Sequence, residues 1–384
     1  MNISKGLSIS YFRNRVKYFL KVFVPAFILF AGVDFGFYYI DVQNKREILQ
    51  TKLVQSINYQ KNHIQNLIST IKSDLIILST HHELDLILKT GDTRLLTKEF
   101  LSYITYKKSI YDQLRFLDIK GQEKIRINVK DDMAYIVPKS KLQNKSSRYY
   151  FKQTLKLGPN EIYVSPFDLN IENNAIEKPY KPVIRFCIPV FDDNKKKRGI
   201  IVMNYLGKAI LDNIGELSLQ SPGKTLLLNS SGHFLKGLNP SDEWGFMFDN
   251  KQDITFNKYF PKEWKSILNS PSGKIYNDNG LFIFTKIDIS GTYLKESGRD
   301  KLNDKSRTRY WTVVSYVPPE SLIKSGESLF KHSVAFLLII TIIIGIISCF
   351  AAQTKMNQKN AEIALRESET RFRSITTTAQ DSII

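Results

Sequence analysis

Few residues of this chain have the types and spacing that chemistry requires, and they do not converge on catalysis. There is no Gly-x-Ser-x-Gly, no Gly-x-x-x-x-Gly-Lys to cradle a phosphate and no His-Glu-x-x-His, and no second histidine stands near His233 to form a dyad. His81-His82-Glu83 has metal-ligating side chains, but successive helical residues point about 100° apart, so they do not share one face. Asp192-Asp193-Asn194 and Asn277-Asp278-Asn279-Gly280 are rich in oxygen ligands, yet neither has the spaced carboxylates and closing glutamate of a calcium loop. Both read as hairpin turns. No enzyme, metal site or cofactor is expected of this stretch of chain.

Composition narrows the partners. Lys+Arg 55 against Asp+Glu 37 gives a formal charge of +18, but the excess is spread along the chain, without the compact, aromatic-laced basic patch that nucleic-acid binding needs. Of the two cysteines, Cys187 lies in the middle of the chain and Cys349 in an apolar run. A disulfide within one chain is therefore not expected, and stability must come from packed cores.

Those cores lie between two apolar runs, Phe19 to Ile40 and Val334 to Ala352, each about long enough to cross a bilayer. The second carries no formal charge. The first carries Lys21 and Asp34, and an acid at that depth costs a few kcal/mol. A cleavable signal peptide is the rival reading, but the run is too long and no small-x-small site follows Tyr39-Ile40-Asp41. Gly32-x-x-x-Gly36 offers a close-packing face for a dimer, a pattern that chance also produces in apolar helices. Lys5, Arg13, Arg15 and Lys17 precede the first run, with Lys21 at its start, and Lys355, Lys359 and Arg366 follow the second. Positive flanks stay in the cytoplasm, which predicts a two-pass protein of a bacterial inner membrane with residues 1–18 and 353–384 inside and 42–331 outside.

The outer segment divides by its periodicity. From Val42 to Thr90 there is no proline or glycine, and Leu53, Ile57, Ile64, Leu67, Ile71 and Leu78 recur at helical spacing, with Gln60 and Asp74 in the remaining seam positions. This predicts a long helix over 42–90 whose stripe packs on its own domain or, in part, on a second copy of the chain. After Gly91-Asp92 a shorter helix is expected over Thr93 to Lys108. The pattern then turns to short β-type runs. Tyr111 to Leu117 and Glu123 to Val129 flank Asp118-Ile119-Lys120-Gly121, and Pro182 to Phe191 and Gly199 to Leu206 flank Asp192-Asp193-Asn194. Each reads as a hairpin. Thr225 to Leu228 and His233 to Lys236, around Asn229-Ser230-Ser231-Gly232, repeat the first; Leu281 to Asp288 and Arg309 to Val317 repeat the second. Two α/β modules in tandem are expected, over 93–206 and 223–325.

Four runs carry a family resemblance: Tyr111 to Asp118, Ser147-Arg148-Tyr149-Tyr150-Phe151, Glu161-Ile162-Tyr163-Val164-Ser165-Pro166, and Gly199-Ile200-Ile201-Val202-Met203-Asn204. Together they resemble the double Cache sensor domain of bacterial transmembrane receptors, over residues 42–325. The resemblance implies an α+β fold, a long N-terminal helix with two PAS-like modules, each an antiparallel sheet flanked by helices. It also implies a small-molecule ligand in the membrane-distal module, between its sheet and the loop bearing Arg148-Tyr149-Tyr150. An arginine there can grip a carboxylate through two parallel hydrogen bonds, while tyrosines exclude water and donate hydroxyls. Tyr163, Asp168 and Arg185 lie on neighbouring elements, and Arg115 and Arg126 sit on the first hairpin, where either can point inward. Amino-acid-binding relatives carry an aspartate where this chain has Asn204. Asparagine offers a hydrogen bond without the charge, which favours a carboxylate over a free amino acid. The alternative is an internal pair of Arg148 with an acid such as Asp168.

The tail bears a second resemblance. Leu365 to Ile375, followed by Asp381-Ser382-Ile383-Ile384, is similar to the opening of a cytoplasmic PAS domain in sensor kinases and diguanylate cyclases. Helical continuation from the second run, with Ala361, Leu365, Phe372 and Ile375 as apolar seam, is the expected coupling element. The chain thus reads as the sensory N-terminal part of a histidine kinase or diguanylate cyclase, a homodimer feeding a response regulator or other output. A chemoreceptor input module, and a membrane-anchored binding or scaffold protein that does not signal, remain as alternatives.

Overall fold

The computed structural model describes residues 2–80, 84, 87, 89–172, 175–219, 223–289 and 310–381. His81, His82, Glu83, Arg309, Ser382, Ile383 and Ile384, on which expectations were placed above, lie outside these. The chain divides into two compact units, Met1–Leu49 with Leu322–Ile384, and Gln50–Ser321.

Among the described residues, two helices are long and apolar enough to cross a membrane. Helix α1 spans Asn2–Ser79 and continues through Pro25; the last helix, Pro319–Asp381, is likewise unbroken. In the first unit Phe19, Phe23 and Phe27 stack along one face of α1 at ring separations of 5.2 and 5.8 Å, and Tyr38 meets Phe330 edge-on at 6.1 Å. Asp34, the acid within the first apolar run, accepts a hydrogen bond from the Ser333 hydroxyl of the other helix. That bond offsets part of the cost of a carboxylate in apolar surroundings. Leu365 and Phe372, two members of the expected seam, are exposed on the chain as it stands.

In the second unit, α1 buries Leu53, Ile57, Gln60, Ile64, Ile68, Ile71, Leu75 and Leu78. The spacing averages close to 3.6 residues, so the stripe runs straight along a helix face packed within the chain itself. Ile68 and Leu75 belong to it, whereas Leu67 is only partly buried. The stripe's polar member, Gln60, donates to the Asn213 carbonyl at 3.4 Å. Helix α2, Arg94–Tyr106, adds Leu96, Phe100 and Ile104.

The larger sheet is antiparallel, in the order β3 (Met133–Ile136), β2 (Glu123–Lys130), β1 (Tyr111–Asp118), β9 (Lys197–Leu206), β8 (Pro182–Phe191), β4 (Tyr163–Val164), with β5 (Asp168–Leu169) also pairing with β8. A small ribbon of β6 (Ile171–Glu172) and β7 (Ala175–Ile176) follows β5. Helix α3, Tyr149–Thr154, packs beside β8. Strands β8 and β9 are buried at nearly every position, as a sheet covered on both faces requires. Strand β1 is also buried, yet alternates Gln113 and Arg115 with Leu114 and Phe116. One face of this sheet is therefore apolar and the other sets polar side chains among apolar ones, although both are out of water.

Helix α4, Lys208–Leu219, leads to a second antiparallel sheet, β11 (Phe234–Lys236), β10 (Lys224–Leu228), β14 (Tyr310–Val317), β13 (Gly280–Asp288), β12 (Ser272–Asn277). Helices α5 (Phe256–Tyr259) and α6 (Pro261–Asn269) precede β12, and the last helix, α7, begins two residues after β14. The two sheets share their turn chemistry. Asp118 Oδ1 accepts the Lys120 and Gln122 amides at 2.9 Å, and Gly121 takes φ +79°. In the second sheet Asn229 Oδ1 accepts the Ser231 and His233 amides at 3.0 Å, and Gly232 takes φ +84°. A short acceptor at the first position and a glycine at the fourth set the same reversal twice.

Gly199 shows how closely the larger sheet is built. It pairs with Asp118, and a Cβ there would lie 2.1 Å from the Leu117 carbonyl oxygen. Because backbone cannot yield as a side-chain tip can, Gly199→Ala is expected to cost about 1–3 kcal/mol. Thermal unfolding of the detergent-solubilised chain should show it as a clear fall in midpoint.

Candidate functional site

The polar face of the larger sheet gathers most of the residues singled out by sequence. Register places Arg115 opposite Arg126 on β2 and Val202 on β9, and Asn204 between Gln113 and Arg185. Three arginines are thus buried side by side on the sheet, with Arg115 and Arg185 each only 4% exposed in their side chains. Each guanidinium must find acceptors, because a buried charge without them is prohibitively costly.

Arg185 is the most fully answered. Its Nη1 meets Asp168 Oδ1 at 2.7 Å and its Nη2 donates to Asn170 Oδ1 at 3.0 Å. The Tyr149 hydroxyl donates to the other Asp168 oxygen at 3.0 Å. Burial opposes the charge on Arg185, but Asp168 and Tyr149 more than offset it and hold the group above the ordinary arginine range. Arg126 donates to Asn128 at 2.9 Å and Glu172 at 3.0 Å. Arg115 donates to Asn204 Oδ1 at 2.9 Å and the Tyr150 hydroxyl at 3.3 Å, and pairs with Glu123 at 3.5 Å. Its Nε is buried with no acceptor among the described residues.

Helix α3 closes the face. Tyr150, 1% exposed, stands edge-on to Tyr149 at 5.7 Å, and three guanidinium carbons surround its ring: Arg115 at 5.6 Å, Arg185 at 5.8 Å and Arg148 at 6.0 Å. Beside it Tyr150, Phe151, Leu117, Cys187, Ile200 and Val202 form an apolar cluster, against which Tyr149 and Tyr163 also pack. Lys145, in the loop leading to α3, has its ammonium pKa lowered by burial and then by Arg115.

The internal pair of Arg148 with Asp168, the alternative raised above, is not formed. Asp168 is the partner of Arg185 and Tyr149, not of Arg148. Arg148 occupies the residue before α3, half-buried, and among the described residues its guanidinium has no ion pair or hydrogen bond, only the Tyr150 ring. Asn204 is already engaged, accepting from Arg115 and donating to Gln113 Oε1 at 3.1 Å. The sequence reading did not single out Gln113, Glu123, Asn170 and Glu172. Glu123 is fully buried and accepts the Gln143 amide at 3.0 Å. Its signal was faint: an acid three residues before Arg126, across the hairpin turn from a strand bearing a second arginine.

The smaller sheet is built differently. Its helix-covered face packs Leu226, Leu228, Phe256, Trp264, Phe282, Phe284 and Val314, with Phe260 and Tyr316 against them. Among the described residues it buries no lysine or arginine.

The fold is shared with solved sensor domains. A domain of a sensory box/GGDEF family protein from Vibrio parahaemolyticus superposes with TM-score 0.59 at 19% identity, covering 71% of this chain and 98% of that one. The extracellular domain of a histidine kinase designated vpHK1S-Z8 gives TM-score 0.59 at 21% identity, over 74% and 96% of the two chains. No curated protein matches by sequence. Residues 46–294, well over half of the chain, match the family model described as bacterial histidine kinase, sensor domain. The chain belongs to that family.

Cys187 reports on the integrity of this face. It is fully buried behind Tyr150, and burial pushes its thiol up to about 12, so at pH 8 only about one part in ten thousand is thiolate. In a Cys349→Ser background, a thiol-reactive dye should label Cys187 at the rate of unfolding. Fast labelling of the native protein would show that the face is open.

Proposed function

We propose that the chain is the input half of a membrane-anchored receptor whose larger, membrane-distal module binds a small carboxylate-bearing molecule on the face closed by Tyr149 and Tyr150. The observation that carries this reading is an excess of cationic groups over carboxylates on this face, Arg115, Arg126, Arg148 and Arg185 against Glu123, Asp168 and Glu172. Asp168, Glu123 and Glu172 are committed to Arg185, Arg115 and Arg126, which leaves the Arg115 Nε and the Arg148 guanidinium unanswered beside the Tyr150 ring. A carboxylate is the small group that accepts from both while meeting a planar guanidinium with two bonds. The aromatic packing of the smaller sheet supports a structural role for that module.

The two apolar helices and their positive flanks support a two-pass arrangement with both flanks cytoplasmic. In this reading the modules lie outside, two copies associate along their long helices, and α7 carries the signal inward to a PAS segment and a kinase-type output. The ligand shifts the receptor only by its difference in affinity for the two states.

The test is a thermal-shift screen of the full chain in detergent against mono- and dicarboxylates, amino acids and amines, run in parallel on Arg148→Ala. A carboxylate at 100 times its Kd adds about 2.7 kcal/mol of stability, and that gain should vanish in the variant. No shift with any carboxylate, or an equal shift in both proteins, would sink the reading.

A further inference from the structure

Asp168 does not stand alone. It lies on a five-residue segment, Ser165–Leu169, that is bound to the candidate site by Ser165 and Asp168 and to the smaller module by Phe167 and Leu169. The Ser165 hydroxyl accepts the Arg185 amide at 2.8 Å, and Asp168 holds the Arg185 guanidinium and the Tyr149 hydroxyl. Phe167, 2% exposed, points to the other module, with its ring 5.2 Å from Trp244, edge-on, and 5.4 Å from Trp311. The Leu169 amide donates to Met247 Sδ at 3.0 Å. Phe167, Asp168 and Leu169 are consecutive, so a displacement of the acid that serves the arginine is felt directly at the two residues that serve the second module.

The seat of Phe167 is tight on one side and loose on the other. A Cβ on Gly207 would lie 2.1 Å from the Phe167 ring, so the ring cannot retreat toward β9. Trp244 is held in the left-handed backbone region at φ +62°, which a bulky residue adopts only when its surroundings impose it. Beyond it lies a cavity of about 500 Å³ lined by Tyr180, Pro182, Leu211, Pro240 and Phe248, among others. The indole therefore has room to repack if Phe167 shifts.

We infer that Ser165–Leu169 is the link by which the state of the distal face is passed to the second module: Asp168 on Arg185 seats Phe167 between Trp244 and Trp311, and loss of that pair unseats it. This rests on the reading of the distal face as the input site, but its test needs no ligand. Asp168→Asn removes the charge while keeping the side-chain size, and Glu172→Gln removes a different ion pair from the same face as a control. Both are made in the full chain in detergent, with Trp264→Phe leaving Trp244 and Trp311 as the emitters. Asp168→Asn is expected to speed hydrogen exchange at least fivefold across Trp244–Lys251 and to red-shift the tryptophan emission; Glu172→Gln should do neither. Tyr149→Phe, which deletes one hydrogen bond to Asp168, should give a smaller shift of the same sign and serves if Asp168→Asn does not fold. Unchanged exchange at Trp244–Lys251 in the folded Asp168 or Tyr149 variant, or an equal change in Glu172→Gln, overturns the link. Failure of the carboxylate screen with these shifts intact would reject the ligand and leave the link standing.

Discussion

The larger module depends on one constraint: three guanidinium groups have been taken out of water on a single sheet face. Desolvating a charge costs several kcal/mol, recovered only through well-placed acceptors. The details of the face follow from that requirement. Asp168 and Asn170 answer Arg185, Asn128 and Glu172 answer Arg126, and Glu123, Asn204 and Tyr150 answer Arg115. The short strand β5, the ribbon after it and the start of β2 are held where they are because they carry these acceptors. Removing one acceptor leaves its arginine buried and charged, so the face is sensitive to single changes.

The smaller sheet shows what the same topology becomes without that constraint. It repeats the turn chemistry of the larger one, with Asn229 and Gly232 in place of Asp118 and Gly121. Its covered face is nevertheless filled by Phe256, Phe282, Phe284 and Trp264, which contribute apolar burial and demand no partners. The larger module buries paired charges, whereas the smaller one packs aromatic rings, and Trp244 and Trp311 of the smaller module receive Phe167 outside that cluster.

The same economy of polar groups appears in the first unit, where Asp34 finds the Ser333 hydroxyl. A carboxylate in an apolar helix is tolerated when a neighbouring helix supplies a donor. That bond also constrains how the two helices can be registered against each other, since sliding either would separate the pair.

Much of this was legible in the sequence because it depends on local periodicity and turn chemistry. The apolar runs, the proline-free stripe of α1, the paired strands around Asp118-Ile119-Lys120-Gly121 and Asp192-Asp193-Asn194, and the gathering of arginines and tyrosines near β1, β8 and α3 all follow from residue type and spacing along the chain. The partners of those arginines do not. Glu123, Asn170 and Glu172 look like ordinary surface residues in sequence, and Arg148 and Arg185 look interchangeable as partners for Asp168. Which guanidinium gets which carboxylate is decided by strand register across the sheet, over separations of up to 46 residues, where no local pattern reaches. The membrane runs, the hairpins and the charge of the face were determined by the sequence alone; which cations are spent and which remain open was decided by the tertiary structure, because pairing energy depends on distance and desolvation in space.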